Sequence, residues 1–132
     1  MAFKDSGAVA STGFPRLLAA AGAVLAAAGV ALSAYAAHAA HAAHAADAGA
    51  RASLHSAALM LLVHGVALAA IAPQRVSGLG RMALGAMLAG VVLFAGSLAA
   101  SHALATSTRL APVGGGLLIA SWLALAVASA RR

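Results

Sequence analysis

Long apolar stretches interrupted by isolated charges dominate the pattern along this chain. Four windows free of Lys, Arg, Asp and Glu cover residues 17–46, 52–74, 82–108 and 110–130. Each window reaches the roughly 20 residues with which an α-helix crosses about 30 Å of hydrocarbon. Backbone polar groups in lipid must hydrogen-bond within their own segment, which a helix achieves. Barrel strands would instead show alternating segments of about ten residues. The pattern therefore predicts four transmembrane helices.

The predicted fold class is all-α: a polytopic membrane protein with four transmembrane helices in an up-down-up-down bundle. Pro73 follows the second helix, and Pro112 opens the fourth, where its missing N–H leaves no bond unmade. The connections are short, so one transmembrane domain covers residues 17–130, and residues 1–16 form a polar N-terminal tail. We place the helices at residues 17–37, 53–72, 82–104 and 112–130.

Composition excludes the main soluble classes. The 132 residues are 64% hydrophobic and 8% charged, with a mean hydropathy of +1.00. A soluble domain of this size could not remove so much apolar surface from water, and disordered chains are poor in apolar residues. The formal charge is +6, but the basic residues are scattered without a basic stripe, so we expect no nucleic-acid partner. The absence of cysteine excludes a disulfide framework, a thiolate metal site and a cysteine nucleophile.

The distribution of Lys and Arg predicts the orientation. With four spans, the two termini and the second connection share one side, which carries six basic residues. The other side carries only Arg51 and Arg109. Because Lys and Arg collect on the cytoplasmic side, both termini are predicted to be cytoplasmic. One alternative is that the first helix is a cleaved signal peptide ending near Ala34-Tyr35-Ala36. We favour a retained helix, since such A-x-A triplets occur throughout this alanine-rich chain.

Small residues recur at four-residue spacing and suggest close helix contacts. The pairs are Gly22 with Ala26, Gly65 with Ala69, Ala86 with Gly90, and Gly96 with Ala100. Small residues let helix backbones approach closely in lipid. We favour packing inside the bundle, with an oligomer face as the alternative. Gly96 is the strongest candidate, and the run Gly114, Gly115 and Gly116 is interpreted as a packing site in preference to a ligand site.

Several segments resemble a known family. Residues 90–98, with Phe94-Ala95-Gly96-Ser97, and residues 110–122, with Pro112-Val113-Gly114-Gly115, look like the third and fourth helices of the Domain of Unknown Function 423 family. Residues 32–39 and 63–68 resemble two further family stretches, and the likeness extends over roughly residues 20–127. The resemblance implies a four-helix protein of the bacterial inner (plasma) membrane, with mitochondrial relatives and no established activity.

The chain departs from the family pattern at several places. Val63 replaces a tyrosine, and Ser121 replaces the glycine before Trp122. The repeated Ala-Ala-His units are not a family feature, so the resemblance supports the topology without supplying a chemistry for the histidines.

Five histidines are expected in one layer at the non-cytoplasmic surface. The first and third helices end there and the second begins there, which places the histidine belt at His38, His41, His44, His55 and His102. Imidazole suits Zn, Cu and Ni, so these five residues are the metal candidates. The competing interpretation is that the Ala-Ala-His repeat is an incidental low-complexity expansion, and we favour it.

His64 is the remaining histidine and is predicted near the bilayer midplane. Ionisable groups at that depth are costly and face the protein interior. We favour a neutral His64 that bonds a backbone carbonyl or Ser97. The alternative is a path for protons or substrate through His64.

These observations favour a membrane protein without enzymatic activity. No acidic residue lies inside a predicted span, and no catalytic constellation is visible. The interpretation we favour is an accessory or scaffold subunit that binds other membrane proteins or further copies of itself in the bilayer. The alternative is a small transporter, channel, or metal- or proton-handling protein that uses His64 and the outer histidines.

Overall fold

The computed structural model describes residues 6–42, 48–74, 76–104 and 108–131. Four helices account for nearly all of this part of the chain, which confirms the predicted all-α, four-helix architecture. All four are long and apolar enough to cross a membrane. Their bounds are α1 Ser6–Ala42, α2 Ala48–Ile71, α3 Gly78–Leu104 and α4 Leu110–Ala130.

The helices begin earlier than the charge pattern indicates, and α1 differs most. Residues 6–16, expected in a loose tail, are helical, and α1 contains Pro15. Once a helix is nucleated, each added residue forms a hydrogen bond for little further ordering, so a stable span extends into a polar flank. The candidate membrane segment within α1 is Gly13–His38. The start of α2 at Ala48 also places Arg51 inside that helix.

The first two helices form a tight antiparallel hairpin through small residues. A Cβ atom on Gly22 would lie 2.6 Å from the backbone nitrogen of Ala69, and one on Gly65 would lie 2.5 Å from that of Ala26. Gly29 likewise leaves no room, because its Cβ would meet the nitrogen of Leu62 at 2.7 Å. The predicted pairs at Gly22 and Gly65 therefore face each other, and their close approach provides the van der Waals contact that holds helices together in lipid.

The last two helices form a second hairpin of the same kind. A Cβ on Gly114 would lie 2.5 Å from the nitrogen of Phe94 and 2.7 Å from the carbonyl oxygen of Gly90. Gly115 is half-buried and would approach only the Phe94 ring, at 3.7 Å. Gly116 is exposed. The glycine run thus acts in packing mainly through Gly114, as predicted.

The two hairpins meet along α2 and α3. The largest fully buried side chains include Leu68 of α2 and Leu84, Met87 and Val91 of α3. Within the described residues, the backbone of α4 approaches α3 but neither α1 nor α2. The outer faces of α1 and α4 expose large apolar side chains, such as Val24 and Ile119. Such faces are stable in contact with lipid acyl chains.

Candidate functional site

His64 lies inside the fold and is the centre of the candidate site. It stands on α2, seven residues before Ile71, and only 6% of its surface is exposed. Because α2 begins at Ala48, the middle of the helix lies near Met60, and His64 is displaced from it by about one turn toward α3. Its Nδ1 atom is 2.9 Å from the carbonyl oxygen of Met60, one turn earlier. The expected bond to a backbone carbonyl is therefore confirmed.

The second nitrogen of His64 is bound by a residue that the sequence analysis did not pair with it. Trp122 of α4 donates its Nε1–H to Nε2 of His64, with 3.3 Å between the nitrogens. The ring centroids are 6.2 Å apart and the rings are inclined at 57°. The alternative partner, Ser97, makes no such bond. Its buried hydroxyl has no hydrogen-bond partner within the described part of the chain.

These two contacts define the protonation state of the imidazole. The carbonyl of Met60 can only accept, so Nδ1 carries the hydrogen. The indole N–H of Trp122 can only donate, so Nε2 must carry none. His64 is therefore neutral when both bonds are formed, and protonation would place two donors against each other.

A signal for this pair exists in the sequence. Both α2 and α4 run toward the same side of the membrane. His64 stands seven residues before the end of α2, and Trp122 stands eight before the end of α4. Nearly equal distances from equivalent helix ends place the imidazole and the indole N–H at a similar depth. Comparing positions across the second and fourth helices would have paired them.

A cleft lies beside this pair, where the α4 backbone stands away from α2. Its volume is about 390 Å³. Trp122, which is 41% exposed, forms part of its wall. The other lining residues are Ile71, Gln74, Val76, Gly80, Leu125, Ala126, Ala128 and Ser129. The cleft is apolar, with polar groups at the end nearest the α2–α3 connection.

Only part of the predicted histidine belt can be located. His38 and His55 are exposed near the ends of α1 and α2 that share one side. His38 contacts the carbonyl oxygen of Ala34 through Nδ1, at 2.8 Å. The side chains of His41 and His102, and the whole of His44, lie outside the described residues. Among the side chains that are described, no three potential metal ligands come together. Metal binding at the belt stays a prediction.

The remaining candidates divide between buried and exposed positions. Gly114 packs as expected, and Pro112 is exposed in the first turn of α4. The prediction for Gly96 was wrong within this chain. Gly96 is exposed, and nothing lies within 4 Å of the position that its Cβ would occupy. Its place is taken by Gly90, because α4 crosses α3 nearer to that residue.

These features define a class of protein. Four apolar helices, an interior held by glycine contacts and a neutral histidine, and outer faces suited to lipid are those of a small polytopic membrane protein. The chain belongs to the family described as "Protein of unknown function (DUF423)", which it matches over residues 32–115. This range covers α2, α3 and the adjoining ends of α1 and α4, so it includes His64 but not Trp122. No curated protein and no solved structure matches the chain significantly.

Proposed function

We propose that this chain is an accessory subunit of the bacterial inner membrane, with both termini in the cytoplasm, that associates laterally with another membrane protein. It performs no catalysis of its own. Its task in this proposal is to present a preformed helical surface to a partner within the bilayer.

The observation that carries this proposal is the engagement of both nitrogens of His64. The imidazole joins α2 to α4 and retains no free nitrogen for a substrate or a metal. Ser53 and Ser121 donate to carbonyl oxygens one turn earlier in their own helices, whereas the buried hydroxyl of Ser97 has no partner among the described residues. The hydrogen bond between His64 and Trp122 joins two helices, which suits a structural component of a membrane assembly.

The cleft beside Trp122 is the surface we assign to the partner, and a transmembrane helix is the occupant that fits it. The cleft lies between the ends of α2 and α4, whose backbones are not adjacent. Three small residues, Gly80, Ala126 and Ala128, form part of its wall. Small residues allow a further helix to approach closely. Gln74 at the end of the cleft donates its Nε2–H to the carbonyl oxygen of Ala70, and its side-chain oxygen can accept a hydrogen bond from a partner helix.

Site-specific photocrosslinking in native membranes tests this proposal. A photoreactive residue at Ala126, inside the cleft, should give one discrete adduct with a membrane protein. The matched control is Ala20, an exposed alanine of α1 near the same side of the membrane. Filling the cleft with Ala126→Trp should remove the partner from the purified complex, whereas Ala20→Trp should retain it. Identical adducts from both positions, or equal recovery with both variants, would overturn the assignment.

The alternative, a small transporter or a metal- or proton-handling protein, predicts a different result. Purified protein in sealed vesicles would then carry protons or a divalent metal, and His64→Leu would abolish the flux. Under the accessory-subunit proposal, vesicles with parent protein and with His64→Leu leak at the same rate as empty vesicles.

A further inference from the structure

A second cleft lies in the hairpin of α1 and α2, at the end of the bundle opposite the cleft beside Trp122. It is formed where the last turns of the α1 span meet the first turns of α2, and its volume is about 440 Å³. Its lining combines three small apolar residues with three polar ones: Ala36, Ala37, Ala52, Ser33, Arg51 and His55. The wall of this cleft is therefore mostly apolar and made of small residues, and it carries one arginine, one histidine and one serine.

This cleft carries positive charge, and no acidic side chain lies among the residues that the structure describes. Arg51 is half-buried, and His55 follows it by one turn of α2. The only carboxylates of the chain, Asp5 and Asp47, lie outside the described residues. A guanidinium that is partly withdrawn from water is stabilised by an anionic or strongly accepting partner. The cleft is therefore suited to binding an anion.

The position of the cleft relative to the membrane identifies the class of anion. Arg51 is the fourth residue of the α2 span, which begins at Ala48, and Ser33 lies five residues before the end of the α1 span at His38. Spans end where hydrocarbon gives way to lipid headgroups. At this depth, the anion available at high concentration is the phosphodiester of a phospholipid.

We propose that this cleft binds the phosphate group of an anionic membrane phospholipid. The planar guanidinium of Arg51 can donate two parallel N–H hydrogen bonds to two phosphate oxygens. Lysine, with a single ammonium group, cannot bind phosphate in this bidentate geometry. His55 and the hydroxyl of Ser33 supply further donors from the two sides of the cleft. Ala36 and Ala52 offer apolar walls to the glycerol and the first methylene groups. Among the described residues Arg51 meets no acidic side chain, and this positive charge favours an anionic lipid over a zwitterionic one.

Native mass spectrometry of the purified chain in detergent, with phosphatidylglycerol as the probe, measures this binding directly. One lipid should remain bound to the parent protein. Arg51→Gln should weaken retention by about tenfold or more, the effect of losing a charged hydrogen-bond partner. The matched control is Arg109→Gln, which removes the same charge from an exposed residue on the same predicted side. It should bind lipid like the parent protein.

Further arms separate the proposal from simpler explanations. Thermal unfolding without lipid establishes that Arg51→Gln is folded, and Ser33→Ala, a milder change, should weaken retention partially. Phosphatidylcholine should be retained less than phosphatidylglycerol. Inorganic phosphate that displaces the lipid at millimolar concentration would show a free-phosphate site and overturn the lipid assignment. Equal loss of lipid in Arg51→Gln and Arg109→Gln would show a general effect of surface charge and also overturn it.

Discussion

At the scale of single residues, His64 connects α2 to α4 by a hydrogen bond. A neutral imidazole is both a donor and an acceptor, so one side chain can satisfy its own helix and receive a bond from another. The bond from Trp122 connects residues 58 positions apart, in two helices whose described backbones are not adjacent. An apolar residue at position 64 could fill the space but could not make this connection.

The His64–Trp122 bond should appear as a coupling energy in a double-mutant cycle. His64→Leu and Trp122→Phe each remove one partner while preserving an apolar side chain. We expect a coupling of about 0.6 kcal/mol, and at most about 1.7 kcal/mol, as for other hydrogen bonds between membrane helices. The free energies of unfolding of the four proteins in mixed micelles give this value. Strictly additive effects of the two substitutions would show that the bond contributes nothing to stability.

At the scale of helices, glycine position decides which surfaces meet. Gly65 and Gly96 both occur four residues before an alanine in an apolar span, yet one is buried against α1 and the other is exposed. The helices are apolar all round, so no polar stripe marks the outer face. Lipid solvates both faces equally well, and the choice rests on how the backbones fit.

Leucine substitutions should distinguish these two glycines sharply. Gly65→Leu would place a side chain where even a Cβ is 2.5 Å from the nitrogen of Ala26. The hairpin would have to separate, with a loss of about 1–3 kcal/mol or more, as for other overpacked sites. Gly96→Leu serves as the control, because its side chain enters open space. Thermal unfolding in detergent should show a lowered midpoint for Gly65→Leu and a parent-like midpoint for Gly96→Leu; the reverse order would contradict this packing.

At the scale of the whole molecule, the fold consists of two glycine-packed hairpins joined along α2 and α3. This arrangement leaves α1 and α4 at the edges, with a cleft on each of two opposite sides of the membrane. The cleft beside Trp122 lies near the end that carries the C-terminus of α4, and the cleft at Arg51 lies near the other end. A protein partner and a phospholipid would therefore occupy separate surfaces.

The orientation can be tested by cysteine labelling, because the chain has no native cysteine. Gln74→Cys lies in the α2–α3 connection, and Thr108→Cys lies just before α4. In intact cells, a membrane-impermeant maleimide should label Thr108→Cys but not Gln74→Cys or a cysteine appended after Arg132. The six basic residues on the side of the termini provide the physical reason. Labelling of Gln74→Cys from outside, with Thr108→Cys protected, would invert the proposed topology.

The sequence alone determined the number of spans and their approximate limits, and it marked Gly22 and Gly65 as candidates for close helix packing without pairing them. Span length follows from bilayer thickness, and the need to satisfy backbone hydrogen bonds in lipid leaves only helices. The tertiary structure alone decided the pairing of His64 with Trp122, the exposure of Gly96 and the cleft at Arg51. These features join residues of different helices, and their formation depends on which faces of uniformly apolar helices are brought together. Helices that lipid solvates equally on every face carry no hydrophobic stripe, so their sequences do not show which faces will pack together.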